Sequence, residues 1–154
     1  MLSHQHCFFQ SKECVLLSIA LAGLMDALDG AVARLTDSVS KRGAFLDSTI
    51  DRLSDTIIIL ALIPLKYPTN IVITLLVSSL MVSYCRARAD SLGLNLQSIG
   101  FVERAERILG IIITILVSYL NRALSIVILL LLTILTVITF IHRFLYALSK
   151  LDNR

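Results

Sequence analysis

Residues 26–51 read DALDGAVARLTDSVSKRGAFLDSTID, and four of the acids there, Asp26, Asp29, Asp47 and Asp51, stand among residues that otherwise read as membrane helix. Six of the chain's eleven carboxylates fall between Asp26 and Asp55. Charge inside a bilayer persists where it faces a protein interior or a wet cavity and is paired or bound. Four neighbouring acids cannot neutralise one another, and burial with mutual repulsion would protonate some of them unless cations hold them ionised. Asp26 and Asp29 are three residues apart and Asp47 and Asp51 four apart, intervals that put each pair on one helical face. Two helix faces can then converge on one site. Carboxylate oxygens without a nearby Cys or His select a hard divalent cation, Mg2+ or Mn2+, over zinc. The alternative is a set of solvated charges at helix ends, which needs no convergence.

Outward from this stretch the chain is a membrane protein by composition, with 154 residues, 56% hydrophobic, 16% charged and a mean hydropathy of +0.85. At about 20 residues per span, the apolar runs predict helices near 13–34, 43–65, 69–91, 101–121 and 123–148 behind a short tail at 1–12. The expected fold is therefore all-α, a polytopic transmembrane helix bundle of five spans forming one domain over residues 13–154. Pro64 and Pro68 around Lys66, the polar stretch Ser91 to Gly100, and Asn121 with Arg122 mark the breaks. The shortest of these turns require antiparallel hairpins. Eleven basic residues (Arg34, Lys41, Arg42, Arg52, Arg86, Arg88, Arg104, Arg107, Arg143, Lys150 and Arg154) fall on one side and three (Lys12, Lys66 and Arg122) on the other. The richer side is expected to face the cytoplasm, so the acidic stretch opens toward soluble nucleotides and Mg2+. A net charge of +3 does not suggest nucleic acid as a partner. Cys7, Cys14 and Cys85 have no framework spacing and predict no disulfide scaffold. The start does not read as a signal peptide, since cleavage near Ala20 to Gly23 would release the helix that carries Asp26.

The acids belong to a longer string, Asp-x2-Asp-Gly-x2-Ala-Arg-x8-Gly-x3-Asp-x3-Asp, filled by Asp26, Asp29, Gly30, Ala33, Arg34, Gly43, Asp47 and Asp51. This resembles the signature of the CDP-alcohol phosphotransferase (CDP-alcohol phosphatidyltransferase) family at all eight positions. The resemblance implies that Asp26, Asp29 and Asp47 hold two divalent ions on the diphosphate of a CDP-linked lipid and that Asp51 accepts the proton of the attacking hydroxyl. It further implies a CDP-lipid site made with Asp26, Asp29, Gly30, Ala33, Arg34 and Gly43. Gly30 and Ala33 lie one turn beyond Asp26 and Asp29, where small side chains leave room for a flat, bulky group or for a packed helix, and the resemblance implies that the group is the cytidine moiety. Arg34 offers a planar donor fork to the nucleotide, or else anchors the cytoplasmic face. Members of the family usually have six spans preceded by an amphipathic helix, so the first span is expected to be missing ahead of residue 13.

Two basic strings, Ser83 to Asp90 and Gly100 to Arg107, bring four arginines near the same face and suggest a second anion, as on an alcohol that carries its own phosphate. These strings resemble the inositol-phosphate branch of the family, the phosphatidylinositol-phosphate and archaetidylinositol-phosphate synthases. That resemblance implies acceptor-phosphate binding by Arg86, Arg88, Arg104 and Arg107, with Arg143 as a further candidate. Topology alone also gathers arginines inside, and Glu103 and Glu106 offer them local partners. The activity implied is transfer of a phosphatidyl or archaetidyl group from a CDP-lipid to inositol phosphate, with release of CMP, in a multi-pass cell-membrane enzyme. Glycerol phosphate or another alcohol as acceptor, or a CDP-inositol donor, would use the same metal chemistry. A divalent-cation transporter is the alternative of another class, but it leaves Gly30, Ala33 and Arg34 without a use. A homodimer is implied by the family, while Ser78, Ser79 and Ser83 permit close helix packing.

Overall fold

The computed structural model describes residues 41–96 and 99–152, and all regular structure among them is helical. The chain divides into two compact units, Met1–Leu65 and Lys66–Arg154. In the first unit, α1 runs Lys41–Leu60. The sequence predicts a helix continuing to residue 65. Instead the α-helix gives way to tighter turns, in which Leu62 N–H donates to the Ile59 carbonyl and Ile63 N–H to the Leu60 carbonyl, at 3.1 and 3.0 Å. Pro64 has no N–H with which to continue the ladder, and Lys66 takes a positive φ of 59°.

The second unit contains α2 (Thr69–Ser91), α3 (Arg104–Leu120) and α4 (Arg122–Asp152), with α4 packed against both of the others. Pro68 opens α2. Its other end is a Schellman close: Leu94 N–H reaches the Ala89 carbonyl at 2.9 Å and Gly93 N–H the Asp90 carbonyl at 3.1 Å, with Gly93 at φ 75°. The accompanying apolar contact is a cluster of Ala89, Leu94 and Leu96 against Ile99, Tyr146 and Ala147. The first helical residue of α3 is Arg104, later than the 101 expected, because Gly100 holds φ 118° and Glu103 forms a capping box with Glu106. Between α3 and α4 stands the single residue Asn121, whose Oδ1 accepts Leu124 N–H at 3.1 Å.

Contacts at the two ends fix the directions. Tyr67, just before α2, donates its hydroxyl to the Thr114 carbonyl at 3.2 Å and to Ser125 Oγ at 3.4 Å, under the guanidinium of Arg122 at 3.9 Å from its ring. The far end of α2 meets Tyr146 and Ala147 of α4. The start of α3 meets Thr139, late in α4. Thus α2 and α4 run the same way and α3 runs against them.

Small polar residues share the packed faces with apolar ones, and large apolar side chains also cover the outside. The inner face of α4 carries Ser125, Thr133, Thr136 and Thr139 beside Leu129 and Leu132, while Leu131, Ile134, Leu135, Ile138, Ile141 and Leu145 are exposed. Thr133 and Thr136 return their hydroxyls to the carbonyls one turn back, both at 2.8 Å, so small polar residues line the packed seam without orphaned groups. Two described helices, α2 and α4, are long and apolar enough to cross a membrane. With 17 residues, α3 is shorter, and α1 bears six charged side chains.

Candidate active site

In the first unit, Gly43, Asp47 and Asp51 recur every fourth residue on α1, and Asp55 continues the series. Side chains at that interval share a face. Their exposure falls along it: Asp47 is exposed, Asp51 half-buried and Asp55 buried. Large apolar side chains occupy a different face, with Leu46, Ile50, Leu53 and Ile57 all exposed. Such a helix presents lipid-compatible surface on one side and carboxylates on another. Asp26, Asp29, Gly30, Ala33 and Arg34 lie outside the described residues. Among the described residues no three His, Cys, Asp or Glu side chains come together as a metal set; the set expected from the sequence includes Asp26 and Asp29, which lie outside them. Asp47 fits a hard divalent cation, being an oxygen donor on a helix that carries neither Cys nor His, and the carboxylate of Asp51 lies one turn on.

In the second unit Arg86, Arg107 and Arg143 lie at one end, opposite Arg122. The inner stripe of α2 runs Val72, Leu75, Ser79, Val82, Arg86 and Ala89, at alternating intervals of three and four. That of α3 runs Arg107, Ile111, Thr114 and Ser118, and that of α4 runs Ser125, Leu129, Leu132, Thr136, Thr139 and Arg143. Each stripe therefore carries one arginine, and the helix directions put all three at the same end. Arg107 and Arg143 are each only 3% exposed, and Arg86 is half-buried. Arg143 lies within electrostatic reach of Glu103, Arg86, Arg107 and Cys85. Its Nη2 pairs with Glu103 Oε1 at 3.3 Å and its Nε donates to the Ile99 carbonyl. Three guanidiniums gathered at one end, one of them paired with Glu103, favour a further anion.

The other two predicted arginines are placed differently. Arg88 is exposed and directed along its own helix, with Nη1 at 3.5 Å from Ser91 Oγ. Arg104 is half-buried in the first turn of α3. Glu106, read from sequence as a partner for arginine, turns its Oε2 to the Glu103 N–H at 2.9 Å. Two residues escaped the sequence reading. Asp55 was signalled by the four-residue interval after Asp51. Thr139 gave no such signal, because its role depends on the loop before α3, and only the fold brings that loop to it.

A family model described as CDP-alcohol phosphatidyltransferase matches residues 6–147. The archaetidylinositol phosphate synthase of Aeropyrum pernix is 40% identical over 136 residues, covering 88% of this chain and 70% of the relative. Among solved structures, Mycobacterium tuberculosis phosphatidylinositol phosphate synthase with CDP-DAG bound superimposes with a TM-score of 0.73 at 26% identity, covering 91% of this chain and 83% of that one. The same mycobacterial protein in complex with manganese and citrate gives a TM-score of 0.74 at 26% identity, covering 92% and 80%.

Proposed function

The chain belongs to the CDP-alcohol phosphatidyltransferase family, and from that premise we propose that it moves the phosphatidyl or archaetidyl group of a CDP-lipid onto inositol phosphate. It is a transferase of phospholipid synthesis that releases CMP. The observation that carries the choice of acceptor is the gathering of Arg86, Arg107 and Arg143 at one end of the second unit, two of them buried. Clustered guanidiniums repel one another, and beside the carboxylate that Glu103 gives Arg143 a further anion is favoured among them. A phosphate on the alcohol supplies one, and a plain alcohol does not.

The acceptor hydroxyl attacks the lipid-bearing phosphorus of the donor. A new phosphorus–oxygen bond forms there, the bond to the CMP oxygen breaks, and the hydroxyl proton passes to the carboxylate of Asp51. Being half-buried on α1, Asp51 is shielded from bulk water but still reachable by a substrate hydroxyl. Asp26, Asp29 and Asp47 would hold two divalent cations, which would supply positive charge to offset the diphosphate and polarise phosphorus. Gly30, Ala33 and Gly43 leave room for the cytidine, and Arg34 offers its fork to the nucleotide. Arg104 and Arg88 add positive charge at the approach to the acceptor pocket. The active site faces the cytoplasm in a multi-pass membrane protein that pairs as a homodimer.

The test is CMP release by the purified, membrane-reconstituted protein with CDP-diacylglycerol or CDP-archaeol, in parallel Mg2+ and Mn2+ series. Inositol phosphate, glycerol phosphate, free inositol and no acceptor are compared. Release that requires inositol phosphate is the expected result. Equal release with free inositol would remove the role given to the arginines.

A further inference from the structure

A ledge on α4 holds the loop before α3. Thr139 Oγ1 accepts two backbone N–H groups of that loop, from Phe101 and Val102, each at 3.2 Å, while donating to the Leu135 carbonyl at 2.8 Å. One turn on, Arg143 holds the same loop through the Ile99 carbonyl and Glu103. The loop lies so close that a Cβ on Gly100 would stand 2.5 Å from Thr139 Cγ2 and 3.4 Å from Arg143 Nε. Thr139 is fully buried, so its hydroxyl has no water to exchange with. Two of the three Arg143 nitrogens serve this loop, and Nη1 carries none of the hydrogen bonds that hold it.

We propose that Thr139 is a positioning residue for the acceptor: by fixing the 99–103 loop it orients the Arg143 guanidinium so that Nη1 meets the acceptor phosphate. The proposal rests on the reading of the arginine end as the acceptor pocket. Its physical basis is the geometry of the fork. A guanidinium is planar, so anchoring Nε and Nη2 sets the direction of Nη1. If the loop is released, the side chain recovers rotamers it had lost, and each ligand-binding event must freeze them again. The cost falls on the acceptor, since the donor's diphosphate is assigned to other residues.

The variant Thr139→Val keeps the shape and removes the acceptor oxygen. In reconstituted full-length protein it should raise the apparent KM for inositol phosphate about tenfold, the scale of a lost hydrogen bond to a charged pocket, with kcat and the CDP-lipid KM within about twofold. Thr139→Ser keeps the oxygen and should restore the acceptor KM. An equal rise in both KM values, or an acceptor KM unmoved by Thr139→Val, would overturn the proposal. The wild-type protein gives a second readout that does not depend on a folded variant. Hydrogen exchange at the Phe101 and Val102 amides should slow on adding inositol phosphate, and with excess inorganic phosphate as the probe of the pocket itself. Exchange unchanged by either would also overturn it. Failure of the acceptor assignment looks different: wild-type CMP release would then ignore inositol phosphate, while inorganic phosphate would still slow the two amides.

Discussion

The acid-bearing helix α1 and the arginine-bearing end of the Lys66–Arg154 unit both place charge in an apolar chain, but they assemble it by different means. On α1 the carboxylates recur every fourth residue along one element, so a single helix lines them up. At the arginine end each helix contributes one guanidinium, and three helices must pack in the right directions before the charges meet. The first arrangement is local and survives in a sequence pattern. The second is tertiary, and its members are told apart by burial rather than by spacing.

The sharpest way to break this contrast is at Asp51. Asp51→Asn keeps the shape of the side chain and removes the proton acceptor, so kcat should fall by about a thousandfold, the usual scale for loss of a general base. The fold and both KM values should change little. CMP release at saturating substrates, alongside the melting profile in detergent, checks this, and near-normal turnover in a folded protein would take the base away from α1.

At the arginine end the expected loss is smaller and of another kind. Arg107→Gln and Arg143→Gln should raise the acceptor KM by about fiftyfold, the worth of a charge-assisted hydrogen bond, and leave the CDP-lipid KM in place. Arg107→Lys should fall between Gln and wild type, because it keeps the charge and loses the planar fork. Initial rates with each substrate varied separately distinguish the two ends. Equal effects on donor and acceptor would mean that the guanidiniums do not form a separate pocket.

How much of this was legible follows the same division. The expected span 69–91 coincides with Thr69–Ser91, because Pro68 at one end and Gly93 at the other are local signals. The α1 helix ends five residues early, at Leu60, where tight turns before Pro64 compete with the α-helix and apolar composition does not register them. In α3 the start is moved by a capping box between two glutamates, which on sequence grounds read as partners for arginine. The eight-position string is readable to its end, although Asp26 to Arg34 lie outside the described residues. Arg86, Arg88, Arg104 and Arg107 look alike in sequence. Only packing separates buried Arg107 from exposed Arg88 and brings Arg143, distant in the chain, beside it.

Two glycines of the second unit sharpen the comparison at the level of stability. Gly100 adopts φ 118° against the Thr139 side chain, whereas Gly110 is helical and a Cβ there would meet the flexible end of Leu132 at 2.9 Å. Gly100→Ala should therefore cost roughly 1–3 kcal/mol of strain. Gly110→Ala should change stability by less than about 1 kcal/mol, since helix propensity gained offsets the shift of Leu132. Thermal melting in one detergent ranks the two. A larger loss at Gly110 would mean that the α3–α4 seam, rather than the loop clamp, is the less tolerant contact.

The smallest effect is expected at Arg88, and it tests whether burial is the right criterion. Topology gathers basic residues on one side of a membrane whatever the substrate, so sequence alone gives Arg88 and Arg107 the same standing. In the fold Arg88 is exposed and folded back toward Ser91, where water and salt screen its charge. Arg88→Gln should then change the acceptor KM by less than about twofold, and that small change should vanish as ionic strength rises, because a screened charge acts at a distance and not by contact. A salt-independent loss of the size expected for Arg107 would place Arg88 in contact with the acceptor. The pocket would then have to include the outer face of α2, and exposure would no longer separate binding arginines from those that merely follow topology.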